Sequence, residues 1–178
     1  MRAVQAFVVR GAAVLLCMTG FLLQAQTAVK APDACNDTQL HPEYRQLDFW
    51  IGDWTVDKDK EKLSDVTFEN ILKGCALAET WTAAHGNDGR GLATYNPLYK
   101  KWEYFWVADR GYTSHITGQL LQDEMQFVIE QPTPEGKTRL RHWSLIKLPD
   151  GRVRELSVGS LDNGQHWSTE YDFMWIRK

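Results

Sequence analysis

Apolar and polar residues alternate in short segments from residue 53 to the end of the chain, and turn residues separate the segments. The alternation predicts ten strands, at residues 53–57, 66–73, 75–82, 92–96, 102–108, 113–121, 124–131, 138–148, 152–160 and 166–177. Such regular spacing without a long helical period is typical of an antiparallel meander that closes into a barrel or folds as a sandwich. We predict the barrel, an all-β domain made of one antiparallel sheet of about ten strands. Residues 41–52, with Pro42 near their start, predict a short helical turn that closes one end.

Hairpin turns fix the register of paired strands, and the register decides which side chains face the interior. Taken as a two-residue turn, Asp150-Gly151 places Trp143 opposite Val158. A second two-residue turn, Asn163-Gly164, selects the same inner residues on the strand between the two turns. The predicted inner set is Arg141, Trp143, Leu145, Arg154, Leu156, Val158, Trp167, Thr169, Tyr171, Phe173 and Trp175.

The same reasoning extends upstream, where the three-residue loop 109–111 ends in a glycine. Glycine suits the left-handed position that such a loop requires, and the loop places Trp106 opposite Ser114. By alternation, the further inner residues are Leu77, Glu79, Trp81, Tyr104 and Trp106, whereas His115 and His142 face outward.

The first 25 residues have the features of a secretory signal peptide. Arg2 and Arg10 precede an apolar run at residues 11–23, and Ala25 is the small residue that signal peptidase requires. The run is shorter than the ~20 residues that span a bilayer, so a membrane anchor is the less favoured alternative. We predict a signal peptide at 1–25, an extended leader at 26–40 and one barrel domain at 41–178. The protein is then periplasmic or secreted, with no membrane span once the signal peptide is removed.

Cysteine use and charge narrow the class of protein further. Cys17 leaves with the signal peptide, and the remaining pair in an exported protein, Cys35 and Cys75, predicts a disulfide. Two buried free thiols are the alternative. A net charge of −3 argues against a nucleic-acid binder. No spacing of histidines and cysteines points to a metal, and no cofactor is expected. Haem in particular is disfavoured, because no histidine lies on the predicted inner face.

Gly52-Asp53-Trp54 stands at the start of the first predicted strand, and Arg177 ends the last one. This arrangement resembles that of the calycins, the lipocalins and fatty-acid-binding proteins, in which a G-x-W tryptophan packs under an arginine of the final strand. The resemblance implies a structural role for Gly52, Trp54 and Arg177 in closing one end of the barrel. The longer pattern of residues 48–56, 74–81, 93–102 and 162–175 is similar to a family of small exported bacterial proteins that has no assigned function.

Arg141 and Arg154 are the candidate centre of a binding site, because both fall on the predicted inner face of neighbouring strands. A buried guanidinium needs a partner, and that partner is either Glu79 or the acid group of a bound ligand. The remaining alternative is that one of the two arginines is exposed at the rim. Fatty-acid-binding proteins hold a carboxylate with inward arginines and a tyrosine, and Arg141, Arg154 and Tyr171 resemble that set. The predicted ligand-binding residues are Arg141, Arg154, Tyr171, Glu79, Trp81, Tyr104, Trp106, Trp143 and Phe173.

We predict an exported barrel that binds a small amphipathic or acidic hydrophobic molecule, with aromatic walls for burial and arginines for orientation. Two alternatives use the same fold. One is an enzyme, an isomerase, cyclase or hydrolase, with Glu79 as the general base. The other is an envelope or interaction protein with a filled interior. The sequence leaves the oligomeric state open.

Overall fold

The computed structural model describes Cys35, residues 38–39 and residues 41–178. The predicted signal peptide and most of the predicted leader lie outside the described residues. Two short 3₁₀ helices, Pro42–Arg45 and Asp48–Trp50, precede the first strand, and a third spans Leu72–Gly74. The ten strands are β1 (Gly52–Lys58), β2 (Glu61–Ile71), β3 (Ala76–Ala83), β4 (Gly89–Asn96), β5 (Lys101–Ala108), β6 (Thr113–Leu121), β7 (Glu124–Pro132), β8 (Thr138–Lys147), β9 (Val153–Ser160) and β10 (Ser168–Arg177).

Each strand pairs antiparallel with its neighbours in sequence, and β1 pairs with β10 to close the barrel. The prediction of an all-β meander barrel of ten strands, preceded by a short helical turn, is therefore confirmed. Closure leaves the sheet without an unpaired edge. The predicted register of the β5–β6 hairpin is also correct, since Trp106 lies opposite Ser114 and Gly111 has a φ of 76°.

The 3₁₀ helices fill one end of the barrel, called here the plugged end. Trp50 is fully buried and stacks on Phe68 with 4.0 Å between the ring centroids, and the Trp175 ring lies 5.4 Å away. Trp102 donates its indole N–H to Gln46 Oε1 over 3.0 Å, which attaches the helical segment to β5. The opposite end, called here the open end, is formed by the loops 59–60, 84–88, 109–112, 133–137 and 161–167.

Trp54 and Arg177 meet where β1 pairs with β10 at the plugged end. The guanidinium carbon of Arg177 lies 4.3 Å from the centroid of the buried Trp54 ring, and Nη1 donates to the Ile51 carbonyl over 2.9 Å. Gly52 has a φ of 123°, and a Cβ at this position would lie 2.6 Å from Arg177 Nη1. Only glycine therefore allows the arginine to cross this strand and cover the tryptophan.

Cys35 and Cys75 form the predicted disulfide, with 4.8 Å between their Cα atoms. The bond attaches the segment before the helices to the start of β3. Close to it, the Arg45 side chain donates a hydrogen bond to the Gly74 carbonyl. The plugged end is thus held by a covalent bond as well as by ring packing.

The predicted register of the β8–β9 hairpin is wrong by one residue, because Trp143 lies opposite Ser157. The connection is a three-residue loop, 149–151, rather than a two-residue turn. Gly151 has a φ of 85°, but Asp150 lacks the positive φ that a two-residue type I′ turn requires at both positions.

A β-bulge in β10 partly compensates for this shift. Thr169 pairs with Val158 as predicted, but Tyr171 pairs with Ser157, and Glu170 is the extra residue between them. The bulge brings the aromatic side chains of β10 to the inner face as predicted, namely those of Tyr171, Phe173 and Trp175. The residues wrongly predicted to face inward are Arg154, Leu156, Val158, Trp167 and Thr169.

Candidate functional site

A cavity of about 270 Å³ lies inside the barrel, between the plugged end and the loops of the open end. Asn87 and Tyr112 border it from two of those loops, so the cavity reaches toward solvent at the open end. The acidic and basic side chains that line the cavity are those of Glu79, Arg141 and Glu155. The aromatic rings of its wall, apart from Tyr112, are those of Trp50, Trp81, Tyr104, Trp106, Trp143, Tyr171, Phe173 and Trp175.

Glu79, on β3, is 3% exposed and accepts a hydrogen bond from the Tyr104 hydroxyl on β5. Gly91 makes this contact possible from the strand between them, since a Cβ there would lie 2.8 Å from the Tyr104 oxygen. Burial raises the pKa of Glu79 to about 8, although the hydrogen bond from Tyr104 opposes the shift. Glu79 is therefore mostly protonated at neutral pH.

A second buried carboxyl, that of Glu155 on β9, faces the same cavity. It accepts a hydrogen bond from the Trp175 indole N–H over 2.7 Å. Burial raises the pKa of Glu155 to about 7, against the effect of this bond. The indole N–H of Trp143 also favours the charged carboxylate, although its geometry falls short of a hydrogen bond. The charge of Glu155 in turn contributes to the raised pKa of Glu79.

Arg141 reaches the cavity from β8 near the open end, and it is already paired. The Arg141 Nε group donates a hydrogen bond to Glu170 Oε2. The Ser157 hydroxyl donates to the same oxygen over 3.0 Å. Arg139 Nε lies 3.3 Å from the other oxygen of Glu170. Because Glu170 is the extra residue of the β10 bulge, the bulge itself supplies the counter-charge for Arg141.

Two buried donors in the cavity wall lack an acceptor within the part of the chain that the structure describes. They are the indole N–H groups of Trp50 and Trp143, whose side chains are almost wholly buried. Buried polar groups are nearly always hydrogen-bonded in native proteins. Both nitrogen atoms are themselves buried, so these donors describe the packing of the wall and not a contact point for a bound molecule.

The structure brings most of the predicted ligand-binding residues together around this cavity. Those that line it are Glu79, Trp81, Tyr104, Trp106, Arg141, Trp143, Tyr171 and Phe173. The predicted inward position of Arg154 is wrong: the side chain lies on the outer face and pairs with Asp172, with N–O distances of 2.9 and 2.6 Å. The partner of Glu79 is Tyr104 and not an arginine.

Two acidic residues of the site, Glu155 and Glu170, are missing from the predicted set. Glu155 is missing because the predicted turn was one residue too short, and a loop at 149–151 would have placed it on the inner face by alternation. Glu170 is missing because the bulge that turns it inward has no distinctive mark in the sequence.

The chain matches no protein-family model and no curated protein. Among the described residues, no three histidine, cysteine, aspartate or glutamate side chains are grouped so that they could hold a metal ion. Residues 41–178 also contain no helix with the length and hydrophobicity needed to cross a membrane.

Proposed function

We propose that the protein binds a small aromatic or amphipathic molecule of one or two rings inside the barrel. The observation that carries the proposal is the ring-walled cavity of about 270 Å³ with a few buried polar groups. Sites for small molecules are typically concave and mostly apolar, with a small number of polar groups that orient the ligand.

The size of the cavity limits the guest. A cavity of roughly 150 Å³ accommodates a benzene molecule, so about 270 Å³ has room for one or two rings with a short polar chain. A long alkyl chain would find no space toward the plugged end, because Trp50, Trp54 and Trp175 are packed there. The cavity therefore favours a compact ligand over a fatty acid.

The polar groups argue against the acidic ligand that the sequence predicts. Arg154 faces away from the cavity, and Arg141 is paired with Glu170. A carboxylate placed deep in the cavity would lie close to Glu79 and Glu155, and like charges in a buried site repel each other. We therefore propose a ligand that has no carboxylate at this depth.

We propose that binding takes place outside the cytoplasm. The disulfide between Cys35 and Cys75 is typical of oxidising compartments, and residues 1–25 have the features of a signal peptide. The contact between Trp54 and Arg177 supports the likeness to calycins. Binding inside the barrel is the activity that this likeness implies.

Saturation-transfer NMR with a set of one-ring and two-ring compounds tests the binding function. We expect several compounds to bind the natural chain with dissociation constants below about 1 mM. Ser114→Phe adds a ring to the cavity wall and should abolish binding. Thr113→Phe is the matched control, because Thr113 is exposed on the same strand and its variant should bind normally. No binding to the natural chain, or binding that survives Ser114→Phe, would refute the proposal.

Acid–base catalysis in the same cavity is the second candidate function, and the pair Glu79 and Glu155 favours it. Their pKa values of about 8 and about 7 leave one acid mostly protonated and the other half ionised at neutral pH. That combination suits proton transfer to and from a bound molecule. In the same NMR samples, chemical conversion of a bound compound would show an enzyme, and Glu155→Gln should stop conversion while binding remains. A bound compound that stays unchanged argues for binding alone.

A further inference from the structure

We propose that the bound molecule carries a protonated nitrogen, which lies between Glu79 and Glu155 while the organic part packs among the surrounding rings. The inference rests on the proposed binding function and names the class of ligand, a compact aromatic or aliphatic amine.

The two buried acids have no cationic partner within the described part of the chain. The groups that donate hydrogen bonds to Glu79 and Glu155 are the neutral side chains of Tyr104 and Trp175. Arg141, the cation that lines the same cavity, is paired with Glu170. An ionised carboxylate that is buried without a counter-charge is strongly disfavoured. A guest cation would supply the charge that the protein itself does not place there.

The rings around the acids suit a cation as well. Trp81 stands at 89° to Trp106 and at 65° to Trp175, with 6.1 Å between the ring centroids in both pairs. The face of an indole or phenol ring attracts a cation that lies within about 6 Å of its centroid. Walls of rings at several orientations are the arrangement that proteins use to recognise ammonium groups. The cavity thus combines aromatic faces with buried acids.

A metal ion suits the same place poorly. Calcium and magnesium take at least six oxygen ligands, whereas the groups beside Glu79 and Glu155 are mostly rings. The indole N–H groups of Trp143 and Trp175 are donors and cannot ligate a metal. An organic cation needs only a few hydrogen-bond acceptors and an apolar surface, and this wall provides both.

Proton release should accompany the binding of such a cation. Besides the two acids, the titratable or charged groups that face them are Tyr104 from β5, Tyr171 from β10 and Arg141 from β8. Burial raises the pKa of both tyrosines, so Glu79 and Glu155 are the groups that exchange protons near neutral pH. A cation beside a carboxyl favours its charged form. Affinity should therefore rise between about pH 6 and pH 8.5, where an alkyl amine, like lysine, stays protonated.

Isothermal titration calorimetry with three probes of similar shape tests the inference. The probes are 2-phenylethylamine as the cation, 2-phenylethanol as the neutral molecule and 3-phenylpropanoate as the anion. At pH 7.5 we expect the amine to bind at least about tenfold more tightly than the alcohol, and the anion to bind most weakly. Titrations of the amine in two buffers with different ionisation enthalpies should show the release of protons.

Glu155→Gln and Glu79→Gln should each reduce the preference for the amine over the alcohol to less than about threefold. Glu69→Gln is the matched control, since Glu69 is exposed on β2, and it should leave the preference unchanged. Glutamine has the shape of a protonated glutamate, so we expect these variants to fold, and circular dichroism verifies it.

The outcomes separate this inference from the binding function on which it rests. If the alcohol binds as tightly as the amine, or the anion binds most tightly, the cation inference is wrong and the binding function stands. An unchanged preference in both glutamine variants, or no proton release with the amine, also overturns it. If the three probes and their naphthyl analogues all fail to bind, both proposals are wrong.

Discussion

Replacing Glu79 by glutamine should make the stability of the barrel less dependent on pH. The pKa of Glu79 is about 8 in the folded chain, against 4.5 for an ordinary glutamate. Between these values the folded chain holds a proton that the unfolded chain has lost. The free energy of unfolding therefore falls as the pH rises through this window. The loss in free energy of unfolding that Glu79 causes is small below about pH 4.5 and reaches its full size above about pH 8.

The magnitude follows from the two pKa values. They differ by 3.5 units (8 − 4.5), and one unit corresponds to about 1.4 kcal/mol. By linkage, the ionisable carboxyl lowers the free energy of unfolding by roughly 1 kcal/mol at pH 5, roughly 3 kcal/mol at pH 7 and roughly 5 kcal/mol at pH 9. Glutamine does not ionise, and its side-chain carbonyl can still accept the hydrogen bond from Tyr104.

Urea unfolding of the natural chain and of Glu79→Gln at these three pH values measures the effect. The stability difference, variant minus natural chain, should grow by about 4 kcal/mol from pH 5 to pH 9. Glu69→Gln, with its exposed side chain, is the control, and its difference should stay constant. Parallel pH profiles for the natural chain and Glu79→Gln would show that Glu79 is not held as a neutral acid. Such profiles would also contradict the argument that Glu79 lacks a counter-charge, on which the proposal of a cationic ligand depends.

Two further predictions concern the plugged end. Cys75→Ser should lower the free energy of unfolding by about 4 kcal/mol, since the disulfide closes a loop of 40 residues. In urea unfolding, a reductant should destabilise the natural chain and leave the variant unaffected. Equal stability of the natural chain and the variant under oxidising conditions would contradict this prediction. Arg177→Ala should lower the free energy of unfolding by about 2 kcal/mol, because it removes the contact with the Trp54 ring and the hydrogen bond to the Ile51 carbonyl. A melting temperature lower by roughly 5 °C checks this, with the exposed Arg152→Ala as control, and equal melting temperatures for the two variants would speak against a structural role for Arg177.

The fold could be predicted from the sequence because its signals are local. Alternation of apolar and polar residues marks each strand, and turn residues mark each connection. The β5–β6 hairpin illustrates this, since one glycine at position 111 fixes the loop and thereby the pairing of Trp106 with Ser114. The pairing of Cys35 with Cys75 needed only the count of cysteines that remain after residue 25.

The site could be predicted only in part, because it depends on the register across two consecutive hairpins. The dipeptide Asp150-Gly151 fits a two-residue turn, and it also fits the end of a three-residue loop with glycine at the left-handed position. The choice between them decides whether Arg154 or Glu155 faces the interior. In β10 the bulge at Glu170 then reverses the error for the residues that follow. The second predicted turn, Asn163-Gly164, sets the pairing of Val158 with Thr169 correctly. The missed bulge then gave β9 the same wrong face as the first turn, so the agreement between the two turns carried no independent information.

The two ends of the barrel differ in what their buried side chains contribute. At the plugged end the Trp54 indole donates to the Trp50 carbonyl over 2.8 Å, so this buried donor has a partner within the protein. The cavity toward the open end holds the buried carboxyls of Glu79 and Glu155, and a buried carboxylate without a counter-charge destabilises an interior. Apolar side chains in their place would give a more stable barrel, and proteins commonly give up stability where function requires polar groups. The concentration of such groups in one cavity is therefore the strongest physical reason to place the function there.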